Sequence, residues 1–301
     1  MVFCFLLLPL LGLTGFFANA HAASAAATTD RATKSCVWKV TASDGHTLYL
    51  AGSVHALRPS DYPLPKAYDA ALQNSTRLAF EVAPEDMQRM RERLASAALL
   101  PRGVQLRDRV DPRTYAYLLR VLAKTHTPES QIASYQSWYL AMQLQSPGAS
   151  SLNASTSRGV ERYLQQKAAA AKKPISGLES WRAHADVFAA MNAEEAEATL
   201  LIGFIRLDNA NANFLRALAA WRRGDAATVE RLLREEYRDY PALYRRLIDA
   251  RNQAWLPKIE GWLRGGGRDN TWLVVAGTGH MAGRDGLPEL LRARGYQVEQ
   301  L

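Results

Sequence analysis

Two short apolar runs end in the same way, and together they restrict the chain to an open sheet with helices around it. Thr47-Leu48-Tyr49-Leu50-Ala51 passes into Gly52-Ser53-Val54-His55, and Thr271-Trp272-Leu273-Val274-Val275-Ala276 passes into Gly277-Thr278-Gly279-His280. Unbroken apolar runs of this length read as strands buried on both faces, which is the condition of a parallel sheet covered by helices. Each delivers a histidine just past its carboxyl end, where sheets of this kind gather their ligands.

Further strands follow the same logic. Arg77-Leu78-Ala79-Phe80-Glu81-Val82 carries one acid near its end and is stopped by Pro84. Lys173 to Leu178 is weaker, because it contains Pro174 and Gly177, and it delivers Glu179. Val37-Trp38-Lys39-Val40 and Thr47 to Ala51 flank Ser43-Asp44-Gly45-His46 as a hairpin, and Gly295 to Glu299 makes a final strand. Helical patterns cover Lys66 to Gln73, Glu85 to Ala98, Asp111 to Lys124, Ser130 to Gln145, Ser157 to Ala171, Ala193 to Arg223, Ala226 to Tyr237, Pro241 to Leu263 and Leu287 to Arg294. The expected fold class is α/β: a central β-sheet with strand-end active-site loops flanked by helices, plus a large α-helical insertion in the middle of the chain, approximately 85–265, with a short strand near 174–178.

The start of the chain belongs to a different class of segment. Val2 to Phe17 is almost wholly apolar and leads into Ala18-Asn19-Ala20-His21-Ala22, the small-residue spacing of a signal peptidase site. Residues 1–22 are expected to be a Sec-type signal peptide, 23–34 a flexible lead-in and 35–301 one domain. The run is shorter than the roughly 20 residues of a spanning helix, and no lipobox cysteine follows it. The expected product is periplasmic or secreted, with no stable membrane insertion after cleavage. Cys4 leaves with the signal, so Cys36, read as a strand-edge residue, is the one thiol retained and no internal disulfide forms.

With 48% hydrophobic residues, the 301-residue chain can bury one large core. The net charge of +8 is dispersed over helix faces, which together with export argues against nucleic acid as a partner. No G-x-S-x-G elbow, P-loop, G-x-G-x-x-G or paired C-x-x-C occurs.

His55, Glu81, Glu179 and His280 remain as candidates. Two imidazoles and a carboxylate, His55, Glu81 and His280, match the ligand set of a divalent ion (Zn, Mn, Co or Fe), with Glu179 as a proton acceptor. Gly52, Gly277 and Gly279 are expected to let the backbone turn sharply beside the ion. Taken singly, each histidine reads equally as a hydrogen-bonded loop residue and Glu81 as half of a structural ion pair. His46, His126 and His184 read as structural, and Arg251, which with Asn252 lies inside an amphipathic helical pattern, as a surface arginine.

Beyond the two G-x-x-H elements, Leu48 to His55, Leu64-Pro65, Leu78 to Glu81, Gly177-Leu178-Glu179, Tyr244, Arg251-Asn252, Trp255, Val275 to Gly286, Leu287 to Leu291 and Gly295-Tyr296 resemble the TraB/GumN family, whose relatives include the animal Tiki proteins. The likeness spans nearly the whole chain after the signal. It implies an active site at His55, Glu81 and His280, with Glu179 and Arg251 as catalytic polar residues, Arg251 acting as charge stabiliser or substrate clamp, and Asn252 in support. Glu161 and Ala250 stand where relatives often carry an aspartate and an acid. Tiki proteins are metal-dependent proteases, while the wider superfamily includes erythromycin esterase-like and haem-binding ChaN-like members, so fold alone does not choose an activity. The reading is a divalent-metal-dependent hydrolase of peptide or related bonds in an envelope-associated substrate. Its rivals are an envelope binding protein holding a metal, haem or glycan without turnover, and a helical interaction scaffold.

Overall fold

The computed structural model describes residues 34–144, 152–265 and 270–301. The expected signal segment, 1–22, and residues 23–33 of the lead-in lie outside the described residues. Among the described residues no helix is long and apolar enough to cross a membrane.

Strand β1 (Val37–Thr41) turns through Gly45, at φ 83°, into β2 (Thr47–Ser53), and the two pair antiparallel from Val37↔Ala51 to Thr41↔Thr47. Helix α1 (Lys66–Gln73) then carries the chain over the sheet to β3 (Arg77–Phe80). A long helical passage follows: α2 (Met87–Ala97), α3 (Pro112–Lys124), α4 (Ser137–Leu144) and α5 (Val160–Ala170). Short β4 (Ile175–Gly177) interrupts it before α6 (Trp181–Ala189), α7 (Ala193–Arg222), α8 (Ala226–Glu236) and α9 (Pro241–Tyr244). A π-helical turn, Arg245–Asp249, joins α9 without a break to α10 (Ala250–Gly265). The chain ends with β5 (Trp272–Gly277), α11 (Leu287–Ala293) and β6 (Gln297–Gln300).

The six strands form one mixed sheet in the order β4-β3-β5-β2-β1-β6. The four on the β4 side run parallel, with Ala51 opposite Val275, Phe80 opposite Val275 and Phe80 opposite Gly177. Every residue of β5 is buried, as its unbroken apolar sequence predicts for a central parallel strand. The fold is thus α/β with its helices concentrated between β3 and β5.

Two local differences from the sequence reading have physical causes. The helix expected from Ser130 begins at Ser137 instead, because the preceding residues are used elsewhere. Leu100 and Leu106 donate backbone hydrogen bonds to Ser134 and Ala133, and Leu99 bridges to Tyr135. Cys36 stands at the edge of strand β1, directly before Val37, and is fully buried, with its thiol on the Trp221 carbonyl at 3.5 Å; burial first, with Asp225 second, pushes it up to about 12. Gly52 and Gly277 do not turn the chain sharply, while Gly279 lies in the tight 3-10 turn Thr278–Met281 that follows β5. Gly52 and Gly277 lie inside strands, and Gly52 serves close packing, since a side chain there would crowd Thr278 and Cys36.

Candidate functional site

The sheet order sets the site. Strands β4, β3, β5 and β2 are consecutive and parallel, so Glu179, Glu81, His280 and His55 emerge along one edge. The ladder continues past β3 and β4, with Leu178 N–H donating to Phe80 O at 2.7 Å and Glu179 N–H to Glu81 O at 3.0 Å, which sets the two acids side by side. On the other flank the Thr278 hydroxyl donates to Ser53 O at 2.9 Å and ties the exits of β5 and β2.

Arg251 reaches this edge from α10 and is buried, not on the surface. The π-helical turn before it inserts one residue into the winding, which rotates everything after it by about 100° relative to a regular helix. Its Nη2 donates to Glu81 Oε2 and to Glu179 Oε1, both at 2.6 Å, and lies 3.1 Å from His184 Nδ1. Nε donates to Glu179 Oε1 at 3.1 Å, and Nη1 donates to Leu247 O at 3.2 Å and faces His280 Nε2 at 3.3 Å. The guanidinium lies over the Trp255 ring, 4.6 Å from its centroid, and the Trp255 indole N–H donates to Glu179 Oε2 at 3.1 Å.

Burial alone would raise both carboxyls, but charge reverses it. Arg251 foremost among the neighbouring cations holds Glu81 well below the usual carboxylate range, and Arg251 with His184 brings Glu179 to about 2. Glu81 Oε1 also accepts the Gly277 N–H at 3.0 Å. Both acids are therefore ionised at neutral pH.

His280 is completely enclosed, and its Nδ1 meets Asn252 Oδ1 at 2.7 Å. The Asn252 amide nitrogen is occupied by the carbonyls of His280 and Asp285 at 3.2 and 2.8 Å, so Oδ1 must face the ring as acceptor. The proton then sits on Nδ1 and the lone pair on Nε2, which lies 3.9 Å from Glu81 Oε1. Burial, with the Arg251 charge behind it, pushes His280 down to about 3 and keeps it neutral.

His55 is anchored from another direction. Its Nδ1 is 2.5 Å from Glu161 Oε1, which also accepts the Ser53 hydroxyl at 2.5 Å. Glu161 belongs to the first turn of α5, where Val160 N–H donates to Val54 O at 3.0 Å. Burial pushes the Glu161 carboxyl up, and the His55 contacts with the Ser53 hydrogen bond more than reverse this.

Of the expected residues, Glu81, Glu179, Arg251, Asn252 and His280 meet in one cluster, and His55 stands close enough for its charge to act on Glu81. His184, taken from sequence as structural, joins them with Nδ1 2.8 Å from Glu179 Oε1. A signal for it existed: Glu179 ends a strand, Ser180 caps α6, and a residue in the first turn after such a cap lies over the strand end. His46 pairs with Asp44 in the hairpin turn, and His126 stands after α3 at φ 53°; neither joins the site.

Metal-ligating atoms of Glu81, Glu179 and His184 all lie within 4.8 Å of one another. Two carboxylates and an imidazole suit a divalent ion, and the Asn252–His280 pair adds an imidazole whose proton is fixed on the far nitrogen, as in metal-binding histidines. The residues present thus fit such an ion in donor chemistry. Neither the comparison with curated proteins nor that with solved structures gives a match. A family model described as TraB/PrgY/gumN matches residues 36–300, nearly the full described chain, and on that match the protein belongs to the TraB/PrgY/gumN family.

Proposed function

We propose that the chain is an exported, divalent-metal-dependent hydrolase acting on a peptide or related bond in the bacterial envelope or outside it. The observation that carries this reading is the cluster itself: Glu81 and Glu179 held ionised, His280 held neutral, and His184 beside them, all at the carboxyl ends of parallel strands. Glu81, with His280 and His55 or with Glu179 and His184, would hold the ion. When bound, it supplies Lewis acidity toward a carbonyl and acidifies water.

The chain's own residues divide the remaining work. Two carboxylates against one guanidinium leave the cluster with one net negative charge, which favours uptake of a cation. Glu179 is too acidic to take up a proton at neutral pH and instead orients His184 through Nδ1, leaving the imidazole to accept and return the proton. Asn252 holds the His280 ring in one tautomer, and Glu161 does the same for His55.

Metal analysis of the purified protein beside Glu81→Ala, His184→Ala, His280→Ala and His55→Ala, with Zn, Mn and Co titrated into the metal-free forms, tests the reading. Wild type is expected to hold about one equivalent and Glu81→Ala none, and the histidine variants then report which imidazoles ligate. The loaded protein is expected to cleave members of a peptide library. Absence of specific metal from wild type sinks the reading, and saturable metal without turnover reassigns the pocket to binding.

A further inference from the structure

The proximity of Glu81, Glu179 and His184 has a visible cause. Glu81 Oε2, Glu179 Oε1 and His184 Nδ1 converge on one atom, Arg251 Nη2, at 2.6, 2.6 and 3.1 Å. The other terminal nitrogen, Nη1, faces the lone pair of His280 Nε2 at 3.3 Å. A single planar cation therefore occupies both carboxylates and the His280 lone pair, with Nη2 spending its two hydrogens on Glu81 and Glu179 while His184 Nδ1 lies beside it and donates to Glu179. A divalent ion at the same atoms would need the lone pairs that the guanidinium uses, and the two positive charges would repel at short range.

We infer that Arg251 is the resident cation of this pocket, occupying the position a divalent ion would take, so that the ion binds only as Arg251 withdraws from Glu81 and Glu179. The inference rests on the reading that the pocket accepts a divalent ion, and it deepens that reading by making metal occupancy a competition within the chain. Arg251 has anchors that do not depend on the acids, the Leu247 carbonyl at 3.2 Å and the Trp255 ring, and these can retain the side chain once the carboxylates are released.

Zn, Mn and Co are titrated separately into metal-free wild type, Arg251→Gln and Arg251→Lys, with heat of binding as the readout. Arg251→Gln removes the competing charge and is expected to bind one ion roughly tenfold or more tighter than wild type. Arg251→Lys keeps a cation there and is expected to stay near wild type. In parallel, wild type labelled with ¹⁵N-arginine is followed by NMR through the Arg251 Nε–H signal, which is expected to shift as metal saturates; this arm decides the matter if Arg251→Gln does not fold. Equal or weaker binding by a folded Arg251→Gln, or an unmoved Arg251 signal at saturation, overturns the inference and leaves the metal site standing. Binding by Arg251→Gln alone upholds the inference and removes the proposed wild-type metal function. Binding by none of the three proteins overturns both.

Discussion

A histidine with no exposure can keep its lone pair directed at a reacting partner only if something else fixes its proton, and Asn252 does this for His280. The arrangement has a consequence for stability. In the unfolded chain His280 takes up a proton as pH falls through 6.5, whereas in the folded chain it does so only near about 3. Its contribution to stability is therefore complete above 6.5 and lost as pH falls toward about 3. Glu179 acts in the same direction over a lower window, from its ordinary 4.5 down to about 2. The melting temperature should fall continuously on acidification, beginning below about pH 6.5, and His280→Gln should flatten the upper part of that curve. A Tm that is unchanged between about pH 7 and about pH 4 in wild type would contradict the burial of a neutral His280.

Among the elements, α5 comes up closely against the His55 loop. Gly159 precedes the helix directly against the His55 backbone, and a methyl group there would overlap the His55 carbonyl. Gly159→Ala should cost about 1–3 kcal/mol and weaken metal binding by moving Glu161 off His55. Gly261→Ala, in α10 with open space around it, should be neutral or stabilise by up to about 1 kcal/mol; urea unfolding of the two variants checks both. The elements also show what sequence can reveal. The strands and their terminal acids and histidines were legible because an unbroken apolar run has one buried solution, and β5 followed it within one residue at each end. Arg251 was read as exposed because a charged side chain in an amphipathic helix defaults to the surface, although its four-residue spacing from Leu247 and to Trp255 sets it on the buried face; the carboxylates that hold it there, Glu81 and Glu179, come from distant strands. Glu161 was missed because its partner His55 is brought to it by packing of separate elements, and spacing along the chain carries no trace of it, whereas His184, five residues after Glu179, carried a local signal in the Ser180 cap between them.

At the scale of the molecule, the buried apolar side chains fall into two groups. The larger surrounds the sheet, while a smaller one, including Leu106, Leu118 and Leu122 with Leu140, Leu200 and Phe204, joins α3 to α4 and α7 away from the site. A small separate core opens more readily than the large one it adjoins. Amide exchange should therefore be faster in α3 than in β2, β3 and β5, and equal protection across both would show a single cooperative unit. The strand order has a different kind of consequence. The central strand, β5, lies between β2 and β3 yet comes from Trp272–Gly277, long after both have been synthesised. Until it arrives, the facing borders of β2 and β3 have no mate, and the loop-closure entropy of the whole helical passage must be met before their pairing is rewarded. The sheet is thus completed late, and the nascent chain, carrying two open apolar strands until β5 emerges, is exposed to self-association for most of its synthesis.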